Sequence, residues 1–87
     1  MTKVRPLRLT FDTEVGAAYL HVRKAKIHRT VERMNKKGFA TIDLDSEGEV
    51  IGIEVVGWKS FDLQEIAKIA GIRPSKVDWS KLQIKLL

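Results

Sequence analysis

The sequence predicts a small α+β domain, in which an antiparallel β-meander of four or five strands carries one packed helix. Residues 38–57 read as a hairpin of two alternating apolar strands around a polar turn at 45–48. Residues 62–70 have the periodicity of a helix. A chain of 87 residues is long enough for one domain with a small core. No internal repeat or linker divides it, so we expect a single domain over residues 1–87.

The hairpin at 38–57 is the clearest element. Side chains alternate between the two faces of a strand, so the apolar residues of each strand share one face. They are Ala40, Ile42 and Leu44 in the first strand and Ile51, Ile53 and Val55 in the second. The apolar face requires a cover from the rest of the chain.

A second hairpin is predicted near the N-terminus. Residues 7–11 and 18–22 both alternate between apolar and polar side chains. The polar stretch between them ends at Gly16, which can adopt positive φ in a turn. We therefore expect two antiparallel strands here.

The segment Arg23–Lys37 is ambiguous. Ile27, Val31 and Met34 have helical spacing, whereas Ile27, Arg29 and Val31 alternate as in a strand. The β-branched residues and the flanking hairpins favour a strand.

The helix predicted at 62–70 has signals at both ends. Asp62 is an N-cap residue with Glu65 three positions later, and Gly71 can end the helix in a left-handed conformation. Leu63, Ile66 and Ala70 lie on one apolar face. After Pro74 the pattern fits either a short helix or a terminal strand.

Charge is unevenly distributed along the chain. The net charge is +5, but residues 1–37 carry ten Lys/Arg and three Asp/Glu, whereas residues 38–57 carry five Asp/Glu and no Lys/Arg. A basic segment can attract nucleic acid or an acidic protein, and it can also pair with the acidic hairpin.

Composition excludes several classes of site. The chain has no cysteine, which excludes disulfides, thiolate metal sites and cysteine nucleophiles. No stretch approaches the length of a membrane span, and the N-terminus lacks signal-peptide features. We expect a cytoplasmic protein with no membrane association and no cofactor.

Four short strings occur in a recognisable order: Phe11-Asp12 with Glu14, then Ala18-Tyr19-Leu20, Ile42-Asp43-Leu44-Asp45, and the run from Gly48 to Glu54. From about Leu9 to Trp58 the chain resembles a family of small prokaryotic proteins catalogued as domain of unknown function 2283. The resemblance implies a β-meander with a helix and no assigned activity. Some relatives are regarded as antitoxin-like partners of small toxins, which implies a protein partner. The basic Arg23–Lys37 segment and the extension after Phe61 depart from the family pattern.

Catalytic and metal sites are weakly supported. Asp43, Asp45 and Glu47 before Gly48 match the start of a calcium loop, but residues 51–55 read as a strand where that loop needs a helix. His21 and His28 have no accompanying nucleophile or ligand cluster. We therefore expect no metal site, no catalytic residues and no enzyme activity.

Two segments could contact nucleic acid. One is the basic segment, and the other is a helix-turn-helix-like pattern over residues 63–82, whose second helix would begin at Ser75. The candidate contact residues are Arg23, Lys24, Lys26, Arg29, Arg33, Lys36, Lys37, Ser75 and Lys76. The preferred hypothesis is a non-enzymatic interaction module that associates with itself, because exposed sheet edges and the apolar tail at 82–87 favour burial against another chain. Nucleic-acid binding is the alternative.

Overall fold

The computed structural model describes residues 3–87 and shows a six-stranded sheet with an α-helix packed against it. The strands are β1 (Arg8–Asp12), β2 (Ala17–His21), β3 (Arg29–Asn35), β4 (Gly38–Leu44), β5 (Val50–Val56) and β6 (Gln83–Leu86). Helix α1 spans Leu63–Ile69, and a 3₁₀ turn follows at Pro74–Lys76. The predicted α+β class is confirmed.

The strand order corrects the predicted meander. In the sheet the order is β3-β4-β5-β2-β1-β6, so the connection from β2 to β3 passes β5 and β4 to reach the far edge. Neighbours are antiparallel except β1 and β6, which run parallel. The prediction of four or five antiparallel strands was wrong because β6 adds a sixth strand, whose partner is distant in the sequence.

One face of the sheet, here called the covered face, carries the core. Leu9, Leu20, Ile53 and Ile42 lie side by side across four strands, and none is more than 2% exposed. The hairpin prediction is confirmed here, since Ala40 pairs with Val55 and Ile42 with Ile53. A register shift between Asp43 and Leu44 then introduces a bulge that the alternation did not predict.

Residues from outside the sheet cover this face. Ile66 and Ala67 of α1 and the indole of Trp58 are each at most 2% exposed. Val77, beyond the 3₁₀ turn, is buried and forms a parallel bridge with Val4. Burial of large apolar side chains is the main stabilising term for a domain of this size.

Both ends of α1 follow their local signals. The Asp62 side chain accepts a hydrogen bond from the Gln64 N–H at 2.9 Å. At the other end Gly71 has φ +80°, and the N–H groups of Gly71 and Ile72 donate to the carbonyls of Lys68 and Ala67. These two bonds form a Schellman motif, which satisfies carbonyls that the helix leaves unpaired.

Both segments whose sequence patterns are ambiguous contain a strand. Residues 29–35 form β3, as favoured from the sequence, while residues 22–28 form a connection without regular structure. After Pro74 the chain forms both a 3₁₀ turn and a strand, β6. The prediction of a helix-turn-helix motif at 63–82 is therefore wrong. Ser75 and Lys76 lie in a single 3₁₀ turn, and no second α-helix follows this turn within residues 3–87.

Candidate interaction surfaces

Strand β6 has backbone groups at one edge of the sheet that find no partner strand among residues 3–87. The N–H groups of Gln83 and Leu87 donate to Leu7 and Phe11, at 3.1 and 2.7 Å, on the β1 side. Because alternate residues of a parallel strand point their backbone groups to opposite sides, those of Ile84 and Leu86 point away from β1. These are the groups that another strand would pair with.

The side chains on this edge are apolar and exposed. Ile84 and Leu86 pair in register with Leu9 and Phe11, so they continue the covered face, yet they are 65% and 68% exposed. The opposite edge strand, β3, also exposes an apolar side chain, Met34, but next to the exposed charged residues Arg29, Glu32 and Arg33. Charged side chains protect an edge against association, so β6 is the less protected of the two edges.

The cations of the basic segment are spread along one edge of the sheet instead of being clustered. Arg23, Lys24 and Lys26 lie in the connection before β3, whereas Lys36 and Lys37 lie in the turn after it. The seven residues of β3, which include Arg29 and Arg33, separate the two groups by about 20 Å at the usual rise per residue. The ammonium of Lys37 lies 5.7 Å from the centre of the Trp58 ring. The remaining candidates, Ser75 and Lys76, belong to the 3₁₀ turn.

The structure places two of these cations in a cleft with residues that the sequence did not single out. The cleft has a volume of about 770 Å³ and lies between residues 3–7, residues 22–24, the start of β5 and Ile72. Arg23 and Lys24 meet Lys3 and Arg5 there. A smaller cleft of about 250 Å³ shares Leu7, Arg23 and Lys24 and adds Arg8, His21 and Gln83. We call the two together the basic cleft.

No local signal could have predicted the basic cleft. It forms because the Leu7 N–H donates to the His21 carbonyl at 2.8 Å, which places the N-terminal segment beside the end of β2. On the other side, the N–H groups of Val22 and Arg23 both donate to the Ile51 carbonyl, at 2.8 and 3.1 Å. These are contacts between residues distant in the sequence.

The other sheet face, here called the open face, carries a polar cluster centred on Tyr19. The Tyr19 hydroxyl donates to Asp43 Oδ2 at 2.7 Å, and the Thr30 hydroxyl donates to Asp43 Oδ1 at 2.7 Å. The pKa of Tyr19 is raised, first by burial and then by the hydrogen bond to Asp43 and the negative charges of Asp43 and Glu54. Tyr19 is thus held in its neutral, donating form.

The two histidines lie in different settings. His21 lies on the open face, and its ring centre is 4.3 Å from that of Tyr19. Burial and the positive charge of Arg8 lower the pKa of His21, which favours the neutral imidazole. His28 is exposed, and its backbone N–H donates to the Leu44 carbonyl.

In the turn between β4 and β5, the Asp45 carboxylate stabilises the local backbone. Asp45 Oδ1 accepts hydrogen bonds from the N–H groups of Glu47 and Glu49, at 2.8 and 2.9 Å. Asp45 Oδ2 pairs with Arg23. Across residues 3–87 no three His, Cys, Asp or Glu side chains are grouped so as to hold a metal ion.

No helix within residues 3–87 has the length and apolar character needed to cross a membrane. Comparisons with protein-family models, with curated proteins and with solved structures give no match to this chain. The resemblance of residues 9–58 to the small prokaryotic family therefore stays a prediction.

Proposed function

We propose that the protein is a small interaction module that pairs with a second copy of itself through β6 and has no reaction of its own. The observation that carries this proposal is the coincidence on β6 of unpaired backbone groups and exposed apolar side chains at the same residues, Ile84 and Leu86. An edge with both properties is a template for strand addition.

The sequence of β6 is self-complementary in one antiparallel register. With Ile84 opposite Ile84 of the second copy, Leu82 lies opposite Leu86 and Gln83 opposite Lys85. Apolar pairs then meet on the covered face, and no like charges face each other. A shift of one residue along each strand places Lys85 opposite Lys85, which is unfavourable. The fully hydrogen-bonded pair falls on Ile84, whose backbone groups point outward. The Leu86 N–H can donate to the Leu82 carbonyl of the second copy, but the Leu82 N–H already donates to the Trp79 carbonyl at 3.0 Å.

Such a contact is small. A four-residue edge buries less area than a standard stable interface, so we expect association in the micromolar range. The resemblance to a family with antitoxin-like members adds a candidate class of second partner, a small toxin protein.

The mass in solution tests the proposal. We expect light scattering at tens of micromolar to give twice the 9.9 kDa of one chain. Ile84→Lys places two like charges opposite each other and should return the monomer. Ile27→Lys is the matched control, because Ile27 is 52% exposed in the connection before β3 and the charge change is the same. A monomeric wild type, or equal loss of the dimer in both variants, contradicts the proposal.

A cysteine scan tests the register. The chain has no cysteine, so Ile84→Cys can form a disulfide only with a second copy. Paired residues in this register have Cα atoms about 5.5 Å apart, which suits a disulfide. We expect mild oxidation to link Ile84→Cys chains and to leave Ile27→Cys chains unlinked. Equal linking of both would exclude specific pairing at β6.

Nucleic-acid binding has less support. Its cations are spread along β3 and the connections on either side of it, and the predicted recognition helix is a single 3₁₀ turn. Mobility shifts over a salt series test this alternative, since phosphate contacts weaken steeply as salt rises.

A further inference from the structure

We infer that the basic cleft binds an amphipathic anion, a molecule with an aliphatic body and a carboxylate or phosphate head group. This inference is independent of the pairing of β6. It rests on the shape of the cleft, on the chemistry of its walls and on which of its cations already have partners.

The cleft has the size and composition of a small-molecule site. Its larger part, about 770 Å³, falls within the range of about 300–1,000 Å³ that is usual for ligand pockets. Half of its lining residues are aliphatic: Val4, Leu7, Val22, Val50 and Ile72. Leu7 is 44% exposed although it is a large apolar side chain, so burial against a ligand would stabilise it.

The walls are held in place by the fold. The Val4 N–H donates to the Lys76 carbonyl at 2.9 Å, and the Asp78 N–H donates back to Val4 at 2.8 Å. Val22 is only 6% exposed and is bonded to Ile51. A preformed apolar wall lowers the ordering cost of binding.

The charges favour an anion. Lys3, Arg5, Arg23 and Lys24 line the larger part, against one carboxylate, that of Glu49. Two of the four are already paired, Arg5 with Asp78 at 3.5 Å and Arg23 with Asp45. Within residues 3–87, Lys3 and Lys24 have no carboxylate within ion-pair distance.

The smaller part of the basic cleft adds a further cation, Arg8. Arg8 lies there with Lys24, and its charge contributes to the lowered pKa of His21. A head group near Lys24 and Arg8 would meet two cations, while its chain would lie along Leu7 toward Ile72. A neutral apolar ligand gains nothing from these cations, and a short anion gains nothing from the aliphatic wall.

Calorimetry with four probes tests this inference: decanoate, decyl phosphate, 1-decanol and acetate. We expect decanoate or decyl phosphate to bind at least about tenfold more tightly than 1-decanol or acetate at low salt. The comparison of the two long anions identifies the head group. Equal binding of 1-decanol and decanoate, or no binding of either long anion, overturns the inference.

Two substitutions locate the site. Lys24→Ala should weaken binding of the long anion about fivefold, the effect of removing one partly exposed charge. Lys59→Ala is the matched control, because Lys59 lies in a separate cleft with Lys36 and Lys37. Circular dichroism confirms that both variants fold. Equal weakening in both variants would mean nonspecific attraction to a basic protein.

Two further measurements separate this inference from other outcomes. A single-stranded oligonucleotide that displaces decanoate and binds more tightly would assign the cleft to nucleic acid and overturn the inference. The Ile84→Lys variant should bind decanoate as the wild type does, because Ile84 lines neither part of the cleft. A failure of β6 pairing and a failure of anion binding are thus distinguished.

Discussion

Tyr19 reaches Asp43 only because residue 52 is a glycine. Gly52 lies between them in the sheet, opposite Asp43 on one side and His21 on the other. A Cβ atom at residue 52 would overlap the Tyr19 hydroxyl and ring. The glycine has no positive φ, so its role is to leave space for the tyrosine.

Gly52→Ala should therefore destabilise the protein through Tyr19. The ring must move away and lose its hydrogen bond to the Asp43 carboxylate, at a cost of about 1–3 kcal/mol in the free energy of unfolding. In a Tyr19→Ala background the same change should be neutral or slightly stabilising, because alanine has less backbone freedom to lose in a strand. Urea denaturation of the four proteins measures this coupling. Equal costs in both backgrounds would show that Tyr19 is not the obstacle.

The raised pKa of Tyr19 predicts a loss of stability at alkaline pH. Tyrosine normally ionises near pH 10, so above that pH the unfolded chain loses the proton first. The folded state then binds more protons than the unfolded state, and the free energy of unfolding falls as pH rises. Below about pH 10 this contribution is fully present.

Ultraviolet titration measures the shift directly, because Tyr19 is the only tyrosine in the chain. The tyrosinate absorbance should rise above pH 10 in the folded protein and near pH 10 in denaturant. Asp43→Asn should bring the folded midpoint down, since it removes the negative charge that Tyr19 faces. A folded midpoint at the ordinary value would contradict the geometry of this cluster.

At the scale of the element, α1 depends on its caps because it is only seven residues long. Asp62→Ala removes the acceptor for the Gln64 N–H and should cost about 1 kcal/mol. Asp62→Ser keeps an acceptor and should cost less. Thermal unfolding of the two variants gives the comparison, and equal losses would mean that the cap bond contributes little.

Elements with a local signal could be predicted from the sequence. The β4–β5 hairpin follows from a period of two residues, and α1 follows from Asp62, its apolar face and Gly71. The sequence signal for strand β3 is weaker, because the same residues fit both the alternation of a strand and the spacing of a helix. The bulge between Asp43 and Leu44 has no sequence signal.

The parts that could not be predicted depend on contacts between distant residues. Nothing in residues 83–86 indicates that they pair with β1, or that they do so in parallel. The basic cleft likewise needs Leu7 bonded to His21 and Val22 bonded to Ile51. The sequence located Arg23 and Lys24 but not Lys3, Arg5 or Arg8, because those three are scattered singly among apolar residues.

At the scale of the whole molecule, the sheet joins two local units through a single pair of strands. Within the sheet formed by residues 3–87, the β1–β2 hairpin and the β3–β4–β5 meander are joined by the pairing of β2 with β5. The connection at 22–28 links them, and its residues 23–28 are all exposed. The two proposed surfaces lie at different places on this frame: the pairing edge is β6, and the basic cleft is at the end of β2.

The parallel pairing of β1 with β6 also has a consequence for synthesis. A ribosome completes the β1–β2 hairpin first and β6 last of the six strands. Until β6 has been synthesised, therefore, β1 is an open edge, and the position beside Leu9 and Phe11 fits the β6 of any copy of this chain. The edge that β6 protects is thus the last one whose partner strand is made, and until then Leu9 and Phe11 present an unprotected strand to the β6 of another copy.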